Sequence, residues 1–356
     1  MELELKKERF LITGGYGFIG SCLIRELMND DFVEICNIDK LSYSSNTKSF
    51  DTSSAKNYQF KKIDIADAKS INKAVIEFKP DYILHLAAET HVDRSIDGPT
   101  EFIQSNIIGT YNLLNSSYDY WKNLKSKKKD TFKFLYVSTD EIYGSLGAND
   151  NSFTEDSNYE PNSPYSATKA AGDHLVRAWN KTYALPTIIT NTCNNYGPWQ
   201  FPEKLIPLVI KKCLYNESIP VYGNGEQIRD WIRVEDHVSG LLTVLRKGVN
   251  GEKYNIGSNC ELTNIQVVTD ICNLLDKLKP NLNNSSYLDL ISFVEDRPGH
   301  DYRYSIDNKK VINLKWKPKF SWKKGLEDTI KWYLMNEEYL KNTNKNYLGD
   351  RLGKLS

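Results

Sequence analysis

Gly14-Gly15-Tyr16-Gly17-Phe18-Ile19-Gly20 decides the fold, because an apolar run at 9–13 leads into it and an amphipathic run at 17–29 leaves it. The first run reads as a strand and the second as a helix. Glycines at 14, 17 and 20 allow a tight turn, a close backbone approach to a pyrophosphate and tight packing of helix on strand. The helix N-terminus adds N–H donors and a positive dipole for phosphate oxygens. Nineteen residues after Gly20, at the end of a second apolar run at 32–39, stands Asp39. A carboxylate there accepts hydrogen bonds from adenosine ribose hydroxyls and repels a 2′-phosphate, so the pattern reads as an NAD site rather than an NADP site. By itself Asp39 could equally cap a turn in Asp39-Lys40-Leu41-Ser42, and the glycine loop upstream favours the cofactor reading.

Working outward, apolar runs at 9–13, 32–39, 58–63, 82–86, 134–138 and 187–190 read as strands. Amphipathic stretches at 17–29, 69–78, 100–118 and 165–183 read as helices. Their alternation predicts an α/β doubly wound parallel sheet with helices on both faces, whose ligands bind beyond the carboxyl ends of the strands. From 194 onward Pro198, Pro202, Pro207 and Pro220 punctuate the pattern. Helices are expected there at 203–215, 234–247, 263–278 and 323–339, with strands at 219–222 and 254–256. The chain therefore divides into a dinucleotide-binding domain at 1–193, to which about 232–260 returns, and a smaller mixed α/β substrate-binding domain at 194–356. The lysine-rich stretch 122–133 reads as a solvated loop, since no aromatic residues interleave its lysines.

Forty-six basic residues balance 46 acidic ones in the 356-residue chain, so no net charge draws it to nucleic acid or to an anionic membrane. Six scattered cysteines form no C-x-x-C and no zinc-like spacing. They read as thiols of a reducing compartment, with neither a disulfide nor a metal expected. The N-terminus lacks the apolar core of a signal peptide, and no apolar stretch reaches membrane-spanning length. A cytoplasmic protein is expected.

Val137-Ser138-Thr139-Asp140-Glu141 closes the fifth strand, 24 positions before a Tyr165-x-x-x-Lys169 pair. A lysine one helical turn beyond a tyrosine shares its helix face and can lower the phenol pKa. Lys169 is thus expected to hold the nicotinamide ribose and Tyr165 to take a hydroxyl proton as hydride leaves carbon. Two carboxylates at that site can split roles: an ionised one removes a proton next to a carbonyl, and a neutral one protonates a departing hydroxyl. Taken alone, the tyrosine could belong to a core and the acids could cap a turn. Together with the glycine loop they read as oxidation at one carbon followed by loss of water.

Further stretches fall in order along the chain: Leu86-Ala-Ala-Glu-Thr-His-Val-Asp-Arg-Ser95, Asn194-Asn-Tyr-Gly-Pro198, Phe201-Pro-Glu-Lys-Leu205, Gln227-Ile-Arg-Asp-Trp231 and Asp296-Arg-Pro-Gly-His-Asp301. With the motifs above, the chain resembles the dTDP-glucose 4,6-dehydratases of the extended short-chain dehydrogenase/reductase family over essentially its whole length. The resemblance implies a Rossmann domain, tightly held NAD, and a nucleotide-sugar substrate, dTDP-glucose. It implies C4 oxidation with Tyr165 as base, C5 deprotonation by Glu141, C6 hydroxyl protonation by Asp140 beside Thr139, and hydride return to C6. Around NAD it implies Gly14, Gly17, Phe18, Ile19 and Gly20, then Asp39, Lys40, Leu41 and Ser42. Asp64, Ile65, Leu86, Ala87, Ala88 and Glu89 follow, with Thr90, Ser105, Tyr165, Lys169 and Asn195. Around the nucleotide-sugar it implies Thr90, Thr139, Asn194, Lys204 and Leu205. Pro220, Val221, Tyr222 and Asn264 join them, with Arg229, Arg297 and His300. Guanidinium groups at 229 and 297 suit pyrophosphate oxygens.

Three departures stand out: Tyr16 where alanine is usual, facing either the pyrophosphate or solvent; Thr90 for serine; and Arg233 after Asp230-Trp231. The family pairs through the helices at 100–118 and 165–183, so a homodimer is expected. UDP-glucose 4,6-dehydration is the alternative activity. A nucleotide-sugar 4-epimerase is disfavoured because it needs no acid pair. A dinucleotide-sensing regulator is disfavoured because it needs neither the acids nor the Tyr-Lys pair.

Overall fold

The computed structural model describes residues 7–53, 55–281 and 285–342 of the chain. β1 (Glu8–Thr13) runs into the glycine loop and α1 (Phe18–Leu27), followed by β2 (Val33–Asp39), β3 (Tyr58–Lys62), α2 (Ala68–Phe78) and β4 (Tyr82–His85). Next come α3 (Val92–Asp97), α4 (Pro99–Phe102), a π-helical stretch (Ile103–Gly109), α5 (Thr110–Lys122), α6 (Ser126–Thr131) and β5 (Lys133–Thr139). α7 (Pro164–Tyr183) leads to β6 (Thr187–Thr192) and β7 (Asn194–Tyr196). Then follow α8 (Leu205–Leu214), β8 (Ile219–Tyr222), β9 (Ile228–Arg233), α9 (Val234–Lys247) and β10 (Lys253–Ile256). Then come β11 (Glu261–Thr263), α10 (Asn264–Leu278), β12 (Ile291–Val294), α11 (Lys309–Asn313), α12 (Trp322–Met335) and α13 (Glu337–Asn342).

Seven strands form one parallel sheet in the order β10-β6-β5-β4-β1-β2-β3. Central strands are covered on both faces, which explains why they read as unbroken apolar runs: every residue of β6 is buried, as are the last four of β1. One core lies on each side of the sheet, around Leu23, Leu84 and Leu241 on one and Ile71, Leu113 and Phe134 on the other. Successive strands diverge in opposite directions from β1 and β4, and the crevice at that reversal is where ligands collect in such sheets.

A later strand lies on this sheet. β10 pairs in parallel with β6, from Lys253 opposite Ile189 to Ile256 opposite Thr192, and α9 packs beside α1. β7, β9 and β11 make a separate three-stranded sheet, and β12 pairs with β8. α8, α10 and α12 close a third core, around Val209, Ile271 and Ile330.

α7 begins as its sequence dictates. Ser163 caps it, the Ser163 and Ser166 side chains exchange capping bonds, and Pro164 supplies the fixed φ of a first turn. Such a cap stabilises a helix start by about 1 kcal/mol. Two expectations need correction. The helix foreseen at 100–118 is broken by the π-helical stretch 103–109, which turns Ser105 and Asn106 inward, where Asn106 bonds both Glu89 and Thr168. Nor is 122–133 only a loop, since α6 forms within it. The Lys128 ammonium pairs with Asp81 at 3.4 Å and donates to the Lys79 carbonyl at 2.8 Å, tying that turn to the base of β4.

Candidate active site

One cavity opens at the carboxyl ends of β1, β2, β4, β5 and β6. The glycine loop forms its floor. Gly14 has φ +74°, and a Cβ at Gly20 would lie 2.2 Å from the Gly14 carbonyl oxygen, so neither position tolerates a side chain. Gly17 caps α1 without a side-chain bond, leaving the first-turn N–H groups to the cavity that Phe18 and Ile19 also line. Asp39 ties this floor to the next loop. Its Oδ2 accepts from the Tyr16 N–H at 3.0 Å, and its Oδ1 from the Leu41 N–H at 2.8 Å and the Ser45 hydroxyl at 3.0 Å.

Lys40, Glu89 and Ser105 form one wall, the ammonium lying 2.8 Å from Glu89 and 3.0 Å from the Ser105 hydroxyl. Ser42, Ile65, Leu86, Ala87, Ala88, Thr90 and Asn195 complete this half. Asn195 keeps a buried Oδ1 without a partner among the described residues. A floor with no Cβ, open helix N–H groups and an unsatisfied amide oxygen fit a dinucleotide. Two residues sit differently from expectation. Asp64 is exposed and closes a turn by accepting from the Ala66 N–H at 2.9 Å, and Leu41 adopts φ +61° outside the cavity lining. Tyr16 faces neither solvent nor pyrophosphate: it is buried, stacked on Phe50 at 5.2 Å and accepting from the Tyr58 hydroxyl.

The chemistry-bearing side chains share the other half of the cavity: Thr139, Asp140, Glu141, Tyr165, Lys169 and Asn194. Asp140 is 2% exposed, and its Oδ2 has no partner among the described residues. Burial first, then the charge of Glu141, pushes its carboxyl well above the usual range, which favours the protonated form. Burial also raises Glu141, but Arg297, Arg229 and Lys204 oppose that rise. Their environments thus push the two acids apart, as a division into proton donor and base requires.

The expected lowering of the Tyr165 pKa by Lys169 is not what the structure displays. Burial, then the charge of Glu141, raises the phenol, and the Thr139 hydroxyl is the group that opposes this by hydrogen bonding. The Lys169 ammonium instead donates to the Val137 carbonyl at 2.8 Å and lies 4.1 Å over the Tyr136 ring. Burial pulls its pKa down to about 7.

Beyond the acids, the second lobe supplies cations. Arg297 is 3.6 Å from Asp93 and keeps a buried Nη1 with no partner among the described residues. Arg229 lies over the Tyr304 ring at 4.1 Å and donates to the carbonyls of Ile228 and Asp301. His300 bonds Asp296 at 2.5 Å, and burial pulls its pKa down to about 4. It also meets the Tyr222 ring edge-on at 6.2 Å. Lys204 donates to the Thr90 carbonyl, and Asn264 donates to Gln227 at 3.4 Å. Leu205 begins α8 and packs on the third core. Strand alternation separates the residues of β8: Pro220 and Tyr222 face outward, while the Val221 side chain is in the core and unavailable to a ligand. Sequence reasoning passed over Ser45 and the run Asp93-Arg94-Ser95. The latter lay inside a quoted motif, but polar side chains on a six-residue helix have no spacing signature.

The family described as GDP-mannose 4,6 dehydratase matches residues 11–329. A curated dTDP-glucose 4,6-dehydratase of Haemophilus influenzae is 51% identical over 330 residues, 92% of this chain and 98% of that one. The solved dTDP-glucose 4,6-dehydratase of Bacillus anthracis, in complex with NAD, superposes with a TM-score of 0.83 at 40% identity, covering 94% of this chain and 99% of that one. A UDP-glucose 4-epimerase of Thermotoga maritima superposes with a TM-score of 0.80 at 27% identity, covering 92% and 99%.

Proposed function

The chain belongs to the GDP-mannose 4,6-dehydratase family, and we propose that it converts dTDP-glucose into dTDP-4-keto-6-deoxyglucose and water, an NAD-dependent step of deoxysugar biosynthesis. The observation that carries this reading is the pair Asp140 and Glu141 beside Tyr165 in a single cavity. Tyr165 would take the proton of the sugar C4 hydroxyl as its phenolate, the form that burial and Glu141 disfavour and the Thr139 hydrogen bond favours. NAD, when bound, would supply the hydride acceptor for C4 and, once reduced, the hydride donor for C6. Gly14, Gly17, Gly20, Asp39 and Lys169 would hold the cofactor.

Once C4 is a ketone, the C5 proton is acidic enough for Glu141 to remove. Asp140, whose proton affinity burial raises, would give its proton to the C6 hydroxyl, which departs as water, and the proton held by Glu141 would return to C5 as hydride reaches C6. The Arg297 guanidinium, with a buried N–H to spare, and Arg229 beside it suit the diphosphate. Glu89, Thr90 and Asn194 line the same cavity.

The solvent-facing Ile108 and Tyr111 near the start of α5, with Tyr183 at the end of α7, support pairing of two copies through these helices. All six cysteines are free thiols, in keeping with a cytoplasmic setting. No helix among the described residues is long and apolar enough to cross a membrane.

Incubating the purified protein with dTDP-glucose and, in parallel, UDP-glucose tests the reading. A 4-keto product that absorbs in alkali should form from dTDP-glucose. Faster turnover of UDP-glucose would move the assignment to the uridine nucleotide. An epimer without the alkali chromophore would overturn dehydration.

A further inference from the structure

α3 touches the cofactor loop, the nucleotide-sugar lobe and the catalytic helix at once. Its Asp93 accepts from the Tyr222 hydroxyl at 3.1 Å and pairs with Arg297. Its Ser95 hydroxyl accepts the N–H of Tyr165 at 3.2 Å. Between them, Arg94 donates through Nε to Glu203 Oε2 at 3.0 Å and lies 4.0 Å over the Tyr43 ring. The Tyr43 hydroxyl donates to the other oxygen, Glu203 Oε1, at 2.8 Å.

The Glu203 side chain is 2% exposed, and it comes from the segment just before α8, in the second lobe. Tyr43 comes from the loop after β2, whose Ser45 bonds Asp39 at the cofactor floor. A buried carboxylate of one lobe therefore clasps the cofactor loop of the other, and the next residue, Lys204, is one of the cations that act on Glu141. Breaking a buried, charge-assisted pair leaves an uncompensated charge, so the two segments have strong reason to move together.

Resting on the proposed dehydration, we propose that Glu203, Arg94 and Tyr43 form a latch that holds the loop 40–45 over the bound dinucleotide, and that a nucleoside diphosphate in the neighbouring half-site tightens it. An internal hydride cycle gives the reason. Reduced cofactor that left before hydride returned to the sugar would abort turnover, so release must be slowest while the sugar nucleotide is bound. A diphosphate held by Arg297 engages α3 through Asp93, the neighbour of Arg94, and with it Glu203. These three are positioning residues, and the coupling between the half-sites is reciprocal.

The test measures the rate at which NAD leaves the loaded holoprotein, with and without thymidine diphosphate. In the parent, thymidine diphosphate should slow release roughly tenfold, within the range typical of such couplings. Glu203→Gln and Tyr43→Phe should release NAD faster and lose most of that tenfold effect. The double variant should add little to either single change, because both break one clasp. Tyr43→Phe deletes only a hydroxyl, so it keeps the test open if Glu203→Gln fails to fold. A merely structural role would speed release equally with and without the diphosphate, leaving the tenfold ratio intact, and that outcome overturns the latch. If the parent turns over dTDP-glucose yet shows no ratio, the latch alone is wrong. If it neither turns over nor binds thymidine diphosphate, the dehydratase reading falls and the latch with it.

Discussion

Glu141→Gln is the sharpest perturbation of this site, because it removes a base and a charge without changing shape. A general base contributes about 10²–10⁴-fold, which is roughly 3–5 kcal/mol of barrier. C5 deprotonation should fall by that amount. The oxidation step should not. The negative charge of Glu141 raises both Tyr165 and Asp140, so its loss lowers both, and the phenolate form becomes accessible at lower pH. The rising limb of oxidation against pH is therefore expected to move to lower pH in the variant. Stopped-flow absorbance of the reduced nicotinamide reads oxidation, and washout of deuterium from C5-labelled dTDP-glucose reads deprotonation. The expected signature is accumulation of reduced cofactor with C5 exchange slowed at least about a hundredfold. Exchange at the parent rate, or a limb moved to higher pH, would refute the assignment of the base and the charge argument respectively.

Asp140→Asn keeps the bulk but cannot donate a carboxyl proton, so water loss should slow by about 10²–10⁴-fold while C5 exchange continues; equal slowing of both steps in isotope-exchange kinetics would argue against the division of roles. Gly20→Ala places a methyl 2.2 Å from the Gly14 carbonyl, and overpacking of that kind costs about 1–3 kcal/mol, read as a lower melting temperature and loss of NAD on gel filtration. Lys169→Met should abolish oxidation yet stabilise the fold at neutral pH. The folded pKa of Lys169 is about 7, against the ordinary 10.5, so the unfolded chain binds the extra proton throughout that window and parent stability rises with pH across it. The gain from methionine should accordingly be full below about pH 7 and fade toward about 10.5, which thermal melts across pH would reveal.

Much of this was legible in the chain because several constraints act locally. Gly14 and Gly20 are forced by backbone contact, Ser163 and Pro164 by cap geometry, and the buried strands by unbroken apolar runs. Asp39 was legible as a carboxylate at the end of β2, where the cavity opens, but its bond to Ser45 was not, since nothing in a serine-rich loop marks which hydroxyl turns inward. The proton affinity of Tyr165 was misread for a similar reason. Spacing by one helical turn puts Lys169 on the same face, but the Val137 carbonyl and the Tyr136 ring, contributed by a distant strand, decide where its ammonium rests. The π-helical stretch at 103–109 was hidden because its composition suits an α-helix equally well. Arg297 needed its motif to be noticed at all.

The return of β10 to the edge of the seven-stranded sheet limits how this protein can be taken apart. A cut after residue 193 severs the primary chain between the lobes but strips β6 of its outer neighbour and α1 of the helix packed beside it. Anyone exchanging the part of the chain after 193 between relatives must leave 234–256 with the recipient, splicing twice rather than once, or the transplanted half will carry in a foreign selvedge that the host sheet was never shaped to meet.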